Sequence, residues 1–249
     1  MKLKLVLALL ITLITTAPSH AAETIVAVAA NFTEPVKEIA ANFTAETGYN
    51  VTLSFGATGN FFNQIKNGAP FEVFLAADSE RPTKAVNEGY AVKGTQFTYA
   101  IGTLVLWSTK PDVVRGAATL ANPDIKTIAY CNPDAAPYGK AAVETLDHLK
   151  LTAKLKPKLV EGQNISQAYQ YVKTGNAEIG FVALSQVIND KEGSHWVVPQ
   201  SDYNPIKQDA VLLKKGENNP VAQQFLDYIR GPKAQAIIKK YGYRVKIAT

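Results

Sequence analysis

The sequence predicts an α/β protein of two doubly wound domains, joined by two crossing strands with a cleft between them. Three observations carry this. Short apolar runs alternate with helical patterns of about ten residues, the signature of parallel α/β units. Four of those runs end alike, in a loop of small and neutral polar residues that opens directly into a helix. One long β-rich segment, Phe97 to Ser108, carries Gly102 in its middle, where a bend is permitted, so it reads as a strand leaving one domain for another.

The first 21 residues stand apart from the fold. Lys2 and Lys4 precede an apolar stretch from Leu5 to Thr15, and Ser19-His20-Ala21 offers a small-x-small cleavage site before Ala22. That is a secretory signal peptide, which places the mature chain in the periplasm. No later stretch reaches the roughly 18 apolar residues of a membrane span.

The first junction is Ile25-Val26-Ala27-Val28-Ala29-Ala30, a buried strand, running through Asn31-Phe32-Thr33 into a helix with apolar residues at Val36, Ile39, Ala40 and Phe43. Asn31 is the expected cap, with Glu34 and Pro35 in the first turn. A strand follows at Tyr49–Phe55, and Gly56-Ala57-Thr58-Gly59-Asn60 opens the second helix. No Gly-Lys-Ser/Thr closes that loop, so it is not a Walker phosphate loop. Phe71–Ala77 reads as a strand ended by Asp78, and Pro82–Asn87 as a helix. Past the crossing segment, Thr127–Cys131 is a strand whose loop, through Pro137-Tyr138-Gly139, leads to a helix over Lys140–Leu151. The fourth junction runs from Leu159-Val160-Glu161 through Gly162-Gln163-Asn164-Ile165 into a helix over Ser166–Val172, capped at Asn164 or its neighbour Ile165. Ala177–Ala183 is a strand, Asp209–Leu213 the return strand, and Pro220–Arg230 and Pro232–Tyr241 the closing helices. Domain I is therefore residues 22–100 with 209–249, and domain II residues 101–208.

Composition excludes several functions. Two of the 26 basic residues lie in the leader, so 24 against 21 acidic residues leave a net charge of +3. These charges are scattered, without the basic stripe that nucleic acid requires. Cys131 is the single cysteine and sits in an apolar strand, as an inert core thiol does. There is no Gly-x-Ser-x-Gly elbow, no Cys/His metal spacing, and no arrangement tying His148 or His195 to a nucleophile. An enzyme is not expected.

Ligands of open α/β sheets sit beyond the carboxyl ends of the strands, where helix N-termini present unpaired N–H groups. Two junctions precede the first crossing and two follow it, so each jaw contributes two helix N-termini. The loops add neutral donors, Asn31, Thr33, Thr58, Asn60, Tyr138 and Asn164, and few acids or aromatics. An amino acid would want a carboxylate for its amine, and a sugar would want stacked rings. A small, fully deprotonated oxyanion fits better; a protonated phosphate would need a buried acceptor for its O–H.

Three stretches and the chain end sharpen this reading: Val28-Ala29-Ala30-Asn31-Phe32-Thr33, Ser54-Phe55-Gly56-Ala57-Thr58-Gly59, the block from Asn67-Gly68-Ala69-Pro70 to Ala76-Ala77-Asp78, and Lys240-Tyr241-Gly242-Tyr243. With them the chain resembles the periplasmic molybdate-binding proteins of ABC transporters over nearly all of its mature length. The resemblance implies the type II periplasmic-binding-protein fold, a monomer, a bound molybdate or tungstate handed to a membrane ABC permease, and no cofactor. It implies that the oxyanion is held through Asn31, Thr58, Tyr138 and Ile165, with no protein atom on the metal and no cationic side chain. Many members carry Ser where this chain has Asn31 and Thr58. Some supply a tyrosine hydroxyl from the position of Ala183, which has none here. Tyr138 either replaces that hydroxyl or packs across the cleft mouth. A carrier of sulfate or another tetrahedral oxyanion remains the alternative, with a secreted α/β enzyme behind it.

Overall fold

A computed structural model describes residues 22–245; the expected leader lies outside them. In chain order the strands are β1 (Glu23–Ala29), β2 (Asn50–Gly56), β3 (Val73–Leu75), β4 (Phe97–Gly102), β5 (Leu104–Ser108), β6 (Ile128–Cys131), β7 (Leu159–Gly162), β8 (Ile179–Ala183), β9 (Ser194–Val197) and β10 (Ile206–Leu212). The helices are α1 (Thr33–Thr47), α2 (Thr58–Lys66), α3 (Glu80–Asn87), α4 (Pro137–His148), α5 (Thr152–Leu155), α6 (Ile165–Lys173), α7 (Leu184–Val187), α8 (Pro220–Arg230) and α9 (Pro232–Lys240).

The strands form two five-stranded sheets, ordered β2-β1-β3-β10-β4 and β7-β6-β8-β5-β9. In the first, β1 runs parallel to β2 and β3, while β10 is antiparallel to both β3 and β4. In the second, β6 is parallel to β7 and β8, and β5 is antiparallel to β8 and β9. The sheets are thus mixed rather than largely parallel. Alternation of apolar residues shows that a strand is half buried but carries no information about its direction.

The expected long strand Phe97–Ser108 is divided at Thr103, where the chain passes from the first sheet to the second. Pairing of β4 with β10 persists to Gly102↔Ile206, beyond the expected crossing points at residues 100 and 209. Each lobe has its own core. In the first, Val26, Val28, Phe32, Ile39, Phe43 and Phe225 pack on one face of the sheet, and Phe61, Phe74, Ala85 and Val211 on the other. Phe43 meets Phe225 edge-on at 5.3 Å between centroids. In the second, Leu104, Leu106, Trp107, Ile128, Leu146 and Phe181 are fully covered. Complete burial of such a side chain stabilises by about 1.5–3 kcal/mol. The two cores hold the strand ends, and with them the four helix starts, at fixed positions.

Candidate functional site

The four predicted junctions converge. A small pocket between the lobes is lined by Ala29, Ala30 and Asn31 from the first, Gly56, Ala57 and Thr58 from the second, Ala136, Pro137 and Tyr138 from the third, and Asn164 and Ile165 from the fourth, with Ala77 closing it. All four expected site residues stand in this wall. None of its side chains is charged. What they surround is a set of helix first turns, whose leading N–H groups have no partner within their helices.

Small residues bring the backbone close. Ala29, Ala30, Ala57, Ala77 and Ala136 are all buried. Pro137 is the first residue of α4, where its missing N–H costs nothing. Asn164 caps α6 by accepting a hydrogen bond from the Gln167 N–H at 3.1 Å, as the sequence led us to expect. Thr58 opens α2. Its Oγ1 accepts from the Ala77 N–H at 3.0 Å, which engages the oxygen and leaves the hydroxyl proton to be given elsewhere.

Asn31 departs from expectation. It does not cap α1: a single 3-10 turn, Ala30–Phe32, precedes the helix, and Phe32 occupies the cap with no side-chain bond. The Asn31 side chain is instead drawn into a buried cluster. Its Nδ2 donates to Gln208 Oε1 at 2.7 Å and to the Tyr243 hydroxyl at 2.9 Å, so both amide hydrogens are engaged within the protein. The Asn31 main-chain carbonyl accepts from Tyr243 Oη at 2.7 Å and from Ser185 Oγ at 2.9 Å. A cap bond is worth less than two side-chain bonds in a site that excludes water, and the latter prevail.

Two other expected donors are not aimed at the pocket. The Thr33 hydroxyl bonds back to the Ala30 carbonyl at 2.8 Å, and Asn60 is exposed. Tyr138 lies on the first turn of α4 and is 1 % exposed, so it is inside the molecule and not at a cleft mouth. Burial holds the hydroxyls of Tyr138 and Tyr99 well above the usual tyrosine range and pushes Tyr243 up to about 12. All three stay protonated and neutral. Cys131 is fully buried and its thiol is pushed up to about 12 by burial, which leaves it inert. Gln208, Tyr99 and Ser185 were given no site role from sequence, and Tyr243 stood out only as part of the chain-end motif Lys240-Tyr241-Gly242-Tyr243. The one local signal was a polar Gln208 on an otherwise apolar strand face.

The lobes are closed on each other around the pocket. The Gly59 N–H donates to the Ala135 carbonyl at 2.9 Å, and Arg81 Nη2 to the Asp134 carbonyl at 2.6 Å, with Asp78 pairing to the same guanidinium. A Cβ on Gly59 would stand 3.1 Å from the Ala135 Cα, so only glycine lets the jaws meet this closely without a shift. On the other side, Ser166 Oγ reaches the Ala30 carbonyl at 3.3 Å.

Comparison with known proteins agrees with this architecture. The family described as bacterial extracellular solute-binding protein matches residues 24–244. A molybdate-binding protein of Rhodobacter capsulatus is 55% identical over 226 residues, 91% of this chain and 90% of that protein. One from Azotobacter vinelandii is 56% identical over 229 residues, with 90% and 91% covered. The solved structure of an Azotobacter vinelandii periplasmic molybdate-binding protein superposes with a TM-score of 0.87 at 42% identity, covering 90% of this chain and all of that one.

Proposed function

The chain belongs to the bacterial extracellular solute-binding proteins, and from that premise we propose that it captures molybdate between its two lobes and delivers it to an ABC permease. The observation that carries this reading is the wall of the pocket: the 3-10 turn that leads into α1 and the N-termini of α2, α4 and α6, two from each lobe, and no charged side chain. Such a wall offers hydrogen-bond donors and positive dipole ends to a dianion. It offers nothing to a cation, and no paired acid and base for chemistry.

Each expected ligand residue has a definite part in this reading. Ile165 has only its backbone N–H to give. Asn31, with its amide engaged by Gln208 and Tyr243, gives its backbone N–H as well. Thr58 gives N–H and hydroxyl, and Tyr138 its hydroxyl. Hydrogen bonds to a charged partner contribute roughly 1.5–3 kcal/mol each, so this set offsets dehydration and closure and reaches micromolar or tighter binding. Tungstate has the same charge and shape and belongs to the same proposal. Sulfate is smaller and would meet the same fixed donors across stretched bonds. The leader at residues 1–21 exports the chain to the periplasm, where it works as a monomer.

A thermal melt tests the reading directly. A ligand that binds only the folded state stabilises by about 2.7 kcal/mol at one hundred times its dissociation constant. Millimolar molybdate should raise the melting temperature of the mature protein clearly; an unmoved melt contradicts the proposal.

A further inference from the structure

Two residues on the crossing strands, neither of them in the pocket wall, meet the Tyr138 hydroxyl. In the register of β4 and β10, Gly102 faces Ile206 and Ala100 faces Gln208, so Gly102 and Gln208 project to the same side of the sheet. Gln208 is completely buried, and its orientation is fixed from one end. Its Oε1 accepts from Asn31 Nδ2 at 2.7 Å and from the Tyr99 hydroxyl at 3.1 Å. The Nε2 therefore points the other way, and donates to the Tyr138 hydroxyl oxygen across a long 3.4 Å. Gly102 supplies the space. A Cβ there would lie 2.2 Å from the Tyr138 oxygen, 2.9 Å from its ring carbon Cζ and 2.9 Å from Gln208 Nε2.

A tyrosine hydroxyl carries one proton and accepts on the remaining side. An amide N–H facing the oxygen makes that side unfavourable for the proton. The Tyr243 hydroxyl nearby accepts from Asn31 Nδ2 and gives its own proton to the Asn31 main-chain carbonyl or Ser185 Oγ; its remaining lone pair faces the Tyr138 hydroxyl and is the acceptor with which an entering anion competes. We infer that Gly102 and Gln208 form a seat on the crossing strands that positions the Tyr138 hydroxyl, holding its oxygen as an acceptor so that its proton is directed to the oxyanion. Both are positioning residues, since neither touches the ligand. The consequence is a specificity for fully deprotonated anions: a hydroxyl locked as a donor cannot turn to accept from an anion that carries its own O–H. The seat also ties a lobe II donor to the strands about which the lobes move, so the donor is correctly aimed only when the jaws are closed.

This inference rests on the reading of Tyr138 as a ligand donor, and the experiment separates the two. Molybdate is titrated calorimetrically into the mature protein and into its Y138F, Q208M, Y138F/Q208M, G102A and Y138F/G102A variants, with unfolding of each ligand-free variant checked. Y138F should weaken binding about ten- to a hundredfold and Q208M about tenfold. The double variant should fall short of the product of the two losses by at least about fivefold, because the seat has lost its occupant. Losses that simply multiply overturn the seat while leaving Tyr138 as a donor. An unchanged affinity in Y138F overturns the donor reading and the seat with it, and a native protein that does not bind molybdate overturns the proposed function itself. Should Q208M fail to fold, G102A decides. It should weaken binding at least about tenfold, and less in the Y138F background, where the nearest contact relaxes from 2.2 to 2.9 Å. Native affinity in G102A overturns the seat.

Discussion

Thr58→Val removes one hydroxyl from a residue that is 1 % exposed while keeping its branched shape, and the proposed function gives that hydroxyl two separate tasks. The oxygen accepts from the Ala77 N–H at 3.0 Å, and in the proposal the proton goes to the anion. Losing the acceptor strands a buried N–H, which costs about 1–3 kcal/mol of folding stability. Losing the proton removes a hydrogen bond to a dianion, about 1.5–3 kcal/mol, or ten- to a hundredfold in affinity. Urea unfolding of the ligand-free protein reads the first quantity and calorimetric titration with molybdate reads the second. Thr58→Ser is the control. It restores the hydroxyl and loses only a methyl group, worth about 0.8 kcal/mol, so it should recover most of both losses. Binding by T58V within about twofold of native, or a T58S variant no better than T58V, would refute the assignment of this hydroxyl to the ligand.

Three further outcomes follow from the same geometry. Affinity should stay level between about pH 6 and 9, because burial raises the tyrosines at the site and keeps them neutral donors, and no wall residue titrates in that range; a tenfold loss across it would reveal a titrating contact. Stability should be fully present below about pH 10, the unfolded tyrosine value, and decline above it, since Tyr99 and Tyr138 are raised in the folded state and only the unfolded chain ionises them there; alkaline melts check the sign. Arg81→Ala should speed molybdate release about fivefold by removing the bond to the Asp134 carbonyl, a modest effect because the guanidinium is partly exposed; an unchanged rate of exchange of labelled molybdate would show that Arg81 does not hold the jaws.

Much of this site was legible because its signals are local. A helix start writes itself within a few residues: Asn164 caps α6 where the sequence placed it, while α4 opens at Pro137, three residues ahead of the expected Lys140, because proline is suited to the first helical position. The same rule misassigned Asn31, since its side-chain partners lie 177 and 212 residues further along the chain. No local pattern carries such a pairing. Gln208 and Gly102 were hidden for the same reason: their work is defined by Tyr138, brought to them only when the second lobe folds back against the first. Strand direction was also beyond the pattern, as was β9, four residues at a sheet edge that are alternately half-buried and exposed. The alternation that marks a buried strand says which residues point inward, and nothing about which neighbour lies alongside.

The central claim is that fixed, uncharged donors on two closed jaws select an oxyanion by its size and full deprotonation. Parallel calorimetric titration of the mature protein with molybdate, tungstate, sulfate and phosphate at one pH tests it most directly. The structure leads us to expect molybdate and tungstate to bind tightly and alike, sulfate far more weakly because its shorter bonds leave the donors out of reach, and phosphate weakest for want of an acceptor for its proton. Sulfate or phosphate binding as tightly as molybdate would contradict it.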